Sequence, residues 1–259
     1  MRLITFKNTR ILILLGILIF TAAISLHQLV YTRSWTKPLE VVILPMNGDR
    51  YLSTNKYIES LSDKNFSRIE TWFEREAEKY GLALSHPVNV RLGPQVRSNP
   101  PVYPDNAHAL NVLWWGLRFR WWVFRNTPDI DSDLTLVRIF VRYYTGDDNK
   151  GLQHSLGMQK GLLGLVHAYA LHTQTAQNNI VIAHELLHTV GAIDKYEMNG
   201  SPIYPFGYAR PNRKPMFPQR EAEIMSGRIP ISHYQSYMAE SLKSVVINRY
   251  TAAEINWLE

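Results

Sequence analysis

The spacing of hydrophobic and polar positions changes several times along the chain, and each change marks an element. Ile11 to Leu26 is an uncharged apolar run, the pattern of a membrane-spanning helix or of the core of a signal peptide. Pro38 to Met46, PLEVVILPM, is rich in β-branched residues and closes on Asn47-Gly48, so it reads as a strand ended by a turn. Phe66, Ile69, Trp72, Phe73, Ala77 and Tyr80 recur every three or four residues, which predicts a helix stopped by Gly81. Pro87 to Gly93 reads as a second strand, and Leu134 to Tyr144 alternates as a third. Two more strands are expected within residues 151 to 172, around a Gln159-Lys160-Gly161 turn. A helix capped near Asn178 comes next.

Composition narrows the picture. With 259 residues, 46% of them hydrophobic, the chain can bury one substantial core. The mixed pattern predicts an α+β domain over residues 38–259, preceded by an N-terminal segment over residues 1–32. Arg2, Lys7 and Arg10 stand before the apolar run, so the segment is either an uncleaved signal-anchor or a removed signal peptide. Both place the rest of the chain outside the cytoplasm, on the periplasmic side if the source is bacterial, and cleavage would make it secreted. The formal charge of +6 comes with no basic run and no nucleic-acid reader module. It suits an anionic membrane, reached through residues 11–31, better than a nucleic acid. Cysteine is absent, which excludes a disulfide framework, a thiolate metal site and a cysteine nucleophile.

Residues 108–126 interleave Trp114, Trp115, Trp121 and Trp122 with Arg118, Arg120 and Arg125. The pattern suits an interfacial helix on a bilayer or aromatic packing in the core.

The candidate chemistry lies in HELLHTVGAID, residues 184–194. His184 and His188 are one helical turn apart, so both imidazoles can converge on one ion, with Glu185 beside them. An amphipathic helix that merely carries two histidines has the same spacing. Gly191 can take the left-handed conformation that ends a helix and return Asp194 towards the histidines. Glu221 and Glu223 compete as distal carboxylates but lack that glycine turn. His154, His167 and His172 receive no role.

The stretch His184-Glu185-x-x-His188-x-x-Gly191-x-x-Asp194 resembles the extended zinc motif of the metzincin metallopeptidases, whose last position is usually histidine. Aspartate there resembles the snapalysin-like branch. The family's tight methionine turn is matched by EIMSGRIP, with Met225 in that role. The resemblance implies a metzincin-like zincin fold: a twisted mixed sheet with an antiparallel edge strand, an active-site helix, a Met-turn and a C-terminal helix. That last helix is expected to start near Ser232, where Ser232-x-x-Gln235 has capping-box spacing.

The resemblance also implies one catalytic Zn2+ on His184, His188 and Asp194, and a peptide or protein substrate lying along an edge strand within residues 151–172. Glu185 would then be the general base of a zinc endopeptidase. Gly227 stands where some relatives carry a transition-state tyrosine, leaving Tyr204, Tyr208 and Tyr234 as candidate phenols. The short stretch between the apolar run and residue 38 predicts no long pro-domain. The alternative function is a non-catalytic zinc protein that binds peptide or an envelope partner on the same fold.

Overall fold

A computed structural model describes residues 6–104, 108–127, 135–146, 156–158 and 161–258. The N-terminal helix α1, Phe6–Ser34, is long and apolar enough to cross a membrane or to act as a signal sequence, and its apolar window is unburied. At its end the chain is clamped to the C-terminus. Arg33 donates to the Glu254 carbonyl, Trp35 Nε1 donates to the Ile255 carbonyl at 2.7 Å, and Trp35 packs edge-on against Trp257.

Strand β1, Leu39–Asn47, lies inside a five-stranded sheet with β2 (Val88–Leu92), β3 (Val137–Tyr144), β4 (Leu156–Met158) and β5 (Leu163–Tyr169), in the order β2-β1-β3-β5-β4. Four of these strands are parallel, and β4 runs antiparallel at one edge. Alternation along β1 divides the core. Val41 and Ile43 face helices α3 (Ser67–Lys79) and α5 (Thr175–Thr189), whereas Val42, Leu44 and Met46 face helix α4 (Ala109–Asn126). The helices thus cover both sheet faces, which is why β1 reads as a continuous apolar run. This mixed architecture agrees with the α+β expectation. Among the described residues it holds six α-helices.

The helix expected over Phe66–Tyr80 is α3, and Gly81 stops it with φ 68°. Helix α2, Leu52–Glu59, has no counterpart in the sequence reading. The expected turn residues Gln159 and Lys160 lie outside the described residues, but β4 and β5 flank them as an antiparallel pair.

Two expectations are corrected. Asn178 is not a helix cap: it lies inside α5, buried, and its side chain bonds the Tyr169 backbone N–H and carbonyl, fastening α5 to β5. No helix starts at Ser232. Its hydroxyl accepts from the backbone of Tyr234 and Gln235 within a hairpin joining β7, Arg228–Pro230, to β8, Ser236–Met238. The same side-chain bonding serves a turn as readily as a cap. The last helix is α6, Arg249–Glu254, capped by Asn248, which accepts from Tyr250 and Thr251.

Candidate metal centre

Helix α5 carries His184, Glu185 and His188, whose ligand atoms lie within 4.8 Å of one another and could hold a metal ion. The helix ends in a Schellman turn: Gly191, with φ 109°, donates to the His188 carbonyl and Ala192 to that of Leu187. The chain reverses there and delivers Asp194. Its Oδ1 stands 3.1 Å from His184 Nε2 and 3.2 Å from His188 Nε2, while the two Nε2 atoms are 3.1 Å apart.

The other ring nitrogens say what these three atoms are. His184 Nδ1 lies 3.0 Å from the Ile224 carbonyl, and His188 Nδ1 lies 2.8 Å from that of Ala192. A carbonyl only accepts, so each Nδ1 carries a proton, and a ring without a second proton turns an Nε2 lone pair inward. Neutral rings would set two lone pairs and a carboxylate oxygen together, a donor set that could hold a cation.

The same carboxylate also favours a proton on His184. Burial alone would raise the Asp194 pKa, but hydrogen bonds from His184 and His188 hold it well below the ordinary carboxylate range. Burial opposes a charged His184, yet Asp194, Glu185 and the Ile224 carbonyl leave its pKa raised. Glu185 is pushed up by burial against the pull of both histidines. Its Oε2 is buried without a hydrogen-bond partner in the chain, a free acceptor beside the cluster.

Met225 is fully buried in the turn whose Ile224 carbonyl meets His184. The turn closes through Gly227, with φ 66°, which donates to the Glu223 carbonyl. It supports the cluster through its backbone, since the Ile224 carbonyl orients His184 and the Met225 carbonyl receives Lys195 N–H, one residue past Asp194.

Glu223 is not a ligand. It sits in β6, Ala222–Glu223, and its carboxylate accepts from Met225 N–H and the Thr251 hydroxyl, both at 2.6 Å. Burial raises its pKa from 4.5 to about 7. The folded state therefore binds an extra proton between those values, so this group's stabilisation is present below pH 4.5 and is lost as pH rises towards about 7. Glu223→Gln carries no such charge and keeps an acceptor for Met225. It is expected to gain stability relative to wild type across that interval, by on the order of 3 kcal/mol at its upper end. Urea unfolding of both proteins at a series of pH values checks this; a difference independent of pH would exclude Glu223 as the titrating group. Glu221 is also no ligand, because it pairs with Arg210.

None of the candidate phenols is among the residues lining the cleft beside the cluster. Tyr204 and Tyr208 pack on each other, and Tyr234 is exposed at the hairpin tip. A phenol that does line it is Tyr196, which the sequence reading missed. Its ring centroid is 6.3 Å from that of His184, and burial together with the Asp194 charge pushes its pKa up to about 12. Its one sequence signal is position, two residues past Asp194 in the same returning loop.

A cleft of about 420 Å³ opens beside the cluster, lined by His184, Glu185, Tyr196, Gly227, Arg228 and His167 among others. His167, given no role from sequence, faces this cleft with its pKa lowered to about 4 by burial and by Arg142. Depressions of about 690 and 590 Å³ lie elsewhere and contain none of the cluster residues, so donor chemistry rather than volume selects the site. His154 lies outside the described residues, and His172 packs on Tyr57.

No family model and no curated protein matches the chain. Among solved structures it is similar to a chain in "Structure of a chaperone-substrate complex", with 12% identity and a TM-score of 0.38, over 85% of this chain and 33% of that one. The chain spans about a third of that neighbour's length, and a likeness at this level says nothing of activity.

Proposed function

We propose that the chain is a zinc-dependent endopeptidase of metzincin type, held at a membrane by α1 with its catalytic domain outside the cytoplasm. The observation that carries this reading is the triangle of His184 Nε2, His188 Nε2 and Asp194 Oδ1 with edges of 3.1, 3.1 and 3.2 Å. Donors about 2.0–2.1 Å from a tetrahedral zinc are separated by about 3.3 Å, so the residues fit the ion. Further support comes from the unpartnered Glu185 oxygen, the buried Met225 turn and the antiparallel edge strand β4, which packs against α5.

Zinc bound there supplies Lewis acidity and lowers the pKa of a water. Glu185, with its free oxygen and a pKa raised by burial, would accept a proton from the attacking water and pass it to the leaving amine. Tyr196, protonated at neutral pH, donates to the oxyanion that forms from the scissile carbonyl. A peptide pairs its backbone with β4 and is held across the cleft.

The test uses the full chain in detergent, as wild type and His188→Ala, with bound zinc quantified and casein cleavage followed. One zinc per wild-type chain, loss of zinc from the variant, and cleavage abolished by a chelator and restored by zinc are expected. Zinc without cleavage would favour the non-catalytic peptide-binding alternative, and absence of zinc would overturn both. Within this reading, Tyr196→Phe is expected to lower kcat about 10²–10³-fold with zinc content and KM little changed. Steady-state kinetics with a quenched fluorescent peptide check it; an unaltered kcat would remove the phenol from the mechanism.

A further inference from the structure

Helix α4 has two apolar faces, and the fold uses one. Trp115, Phe119 and Val123 are buried against β1 and β3. Leu110, Leu113, Trp114, Leu117, Trp121 and Phe124, between 53% and 78% exposed, form a second stripe along the helix. At about 100° per residue this stripe has Arg118 and Arg125 along one flank and Arg120 along the other. No acidic residue occurs between Ala109 and Asn126. Trp114, Leu117 and Trp121 also line a groove of about 590 Å³ shared with Arg118 and Arg125. Beside the helix, Val102 is 89% exposed in a loop pinned by Trp115 Nε1 donating to the Pro101 carbonyl and by Tyr103 stacked edge-on against Trp115.

We propose that α4 is a membrane-docking helix, which lays the Leu110–Phe124 stripe into the headgroup layer of an anionic phospholipid bilayer, the same membrane that α1 enters. This rests on α1 acting as an anchor. Three observations choose lipid over protein as the occupant. Tryptophans at the margin of an apolar stripe with arginines on both flanks form the composition that lies in a bilayer interface, with ring N–H groups and guanidinium groups reaching headgroup phosphates. The alternating spacing of Leu110, Trp114, Leu117, Trp121 and Phe124 also suits a helix pair, but a second copy would set arginine flanks against each other with no acidic partner. Finally, α1 holds the domain beside a bilayer, so docking costs little of the freedom that a free protein would lose.

The test exploits the absence of cysteine. Single cysteines are introduced in the full chain as Leu117→Cys or Phe124→Cys, with Met198→Cys in an exposed turn as the control, and each is labelled with a nitroxide. The chains are reconstituted into vesicles of equimolar phosphatidylcholine and phosphatidylglycerol and recovered by flotation. Nitroxides at 117 and 124 are expected to collide with oxygen and to be shielded from a water-soluble nickel chelate, while the control stays accessible to nickel. Adding Arg118→Gln and Arg125→Gln is expected to shift the immersed-to-free ratio about fivefold per arginine. Floated chains with nickel-accessible labels at 117 and 124 would overturn the docking proposal, as would dipolar broadening showing that two copies cover the stripe. Chains that do not float would overturn the anchor reading itself.

Discussion

Glu185→Gln is expected to retain one zinc per chain and to lower kcat about 10²–10⁴-fold with KM little changed. In the proposed function the metal is held by His184, His188 and Asp194, whose orientation comes from the Ile224 and Ala192 carbonyls and from the Gly191 turn. None of these involves Glu185. The glutamate contributes a buried oxygen without a hydrogen-bond partner in the chain and a pKa raised by burial, and an amide reproduces its shape without accepting a proton. Zinc quantification beside steady-state peptide hydrolysis separates the two roles. A variant that binds zinc and keeps more than about a tenth of wild-type kcat would show that proton transfer uses another group.

What the sequence made legible follows from how local the determining physics is. Strand β1 and helix α3 are each specified by an apolar period that any partner surface would satisfy, and both are found where the period places them. The juxtaposition of His184, His188 and Asp194 was equally legible, because helical geometry alone sets the two histidines on one face and Gly191 permits the return of Asp194. Polar patterns were ambiguous. Asn178 offers the groups of a cap but spends them on the Tyr169 backbone nine residues earlier, and Ser232 makes cap-like bonds inside a hairpin. Helix α4 divides its tryptophans: Trp115 is packed in the core, whereas Trp114 and Trp121 are exposed on the stripe proposed to dock. Tyr196 left no periodic trace because it lies in an irregular loop whose path is set by tertiary bonds, from Lys195 N–H to the Met225 carbonyl and from Ile203 N–H to that of Lys195.

Glu254→Ala is expected to destabilise the protein by about 3–5 kcal/mol, an effect that reaches Asp194, the proposed third ligand, from the far end of the chain. The Glu254 carboxylate accepts from Lys195 Nζ at 2.6 Å and from Ile193 N–H at 3.1 Å, so it grips the residues on both sides of Asp194. The Lys195 side chain is 3% exposed, and removing its partner leaves an ammonium that water cannot reach. The Glu254 carbonyl in turn receives Arg33, and the neighbouring Ile255 carbonyl receives Trp35. The end of α1, helix α6 and the loop bearing Asp194 therefore form one hydrogen-bonded unit, and loosening it should weaken zinc binding as well as the fold. The double variant Lys195→Met with Glu254→Leu removes both charges together. It should recover most of the lost stability, because a matched apolar pair avoids the unpaired charge. Yet it should not recover full zinc affinity, since Ile193 N–H still lacks its acceptor. Denaturant unfolding and competitive zinc titration of the single and double variants read these outcomes separately. If both variants kept wild-type zinc affinity, Asp194 would owe its placement to the Gly191 turn and the Met225 carbonyl alone.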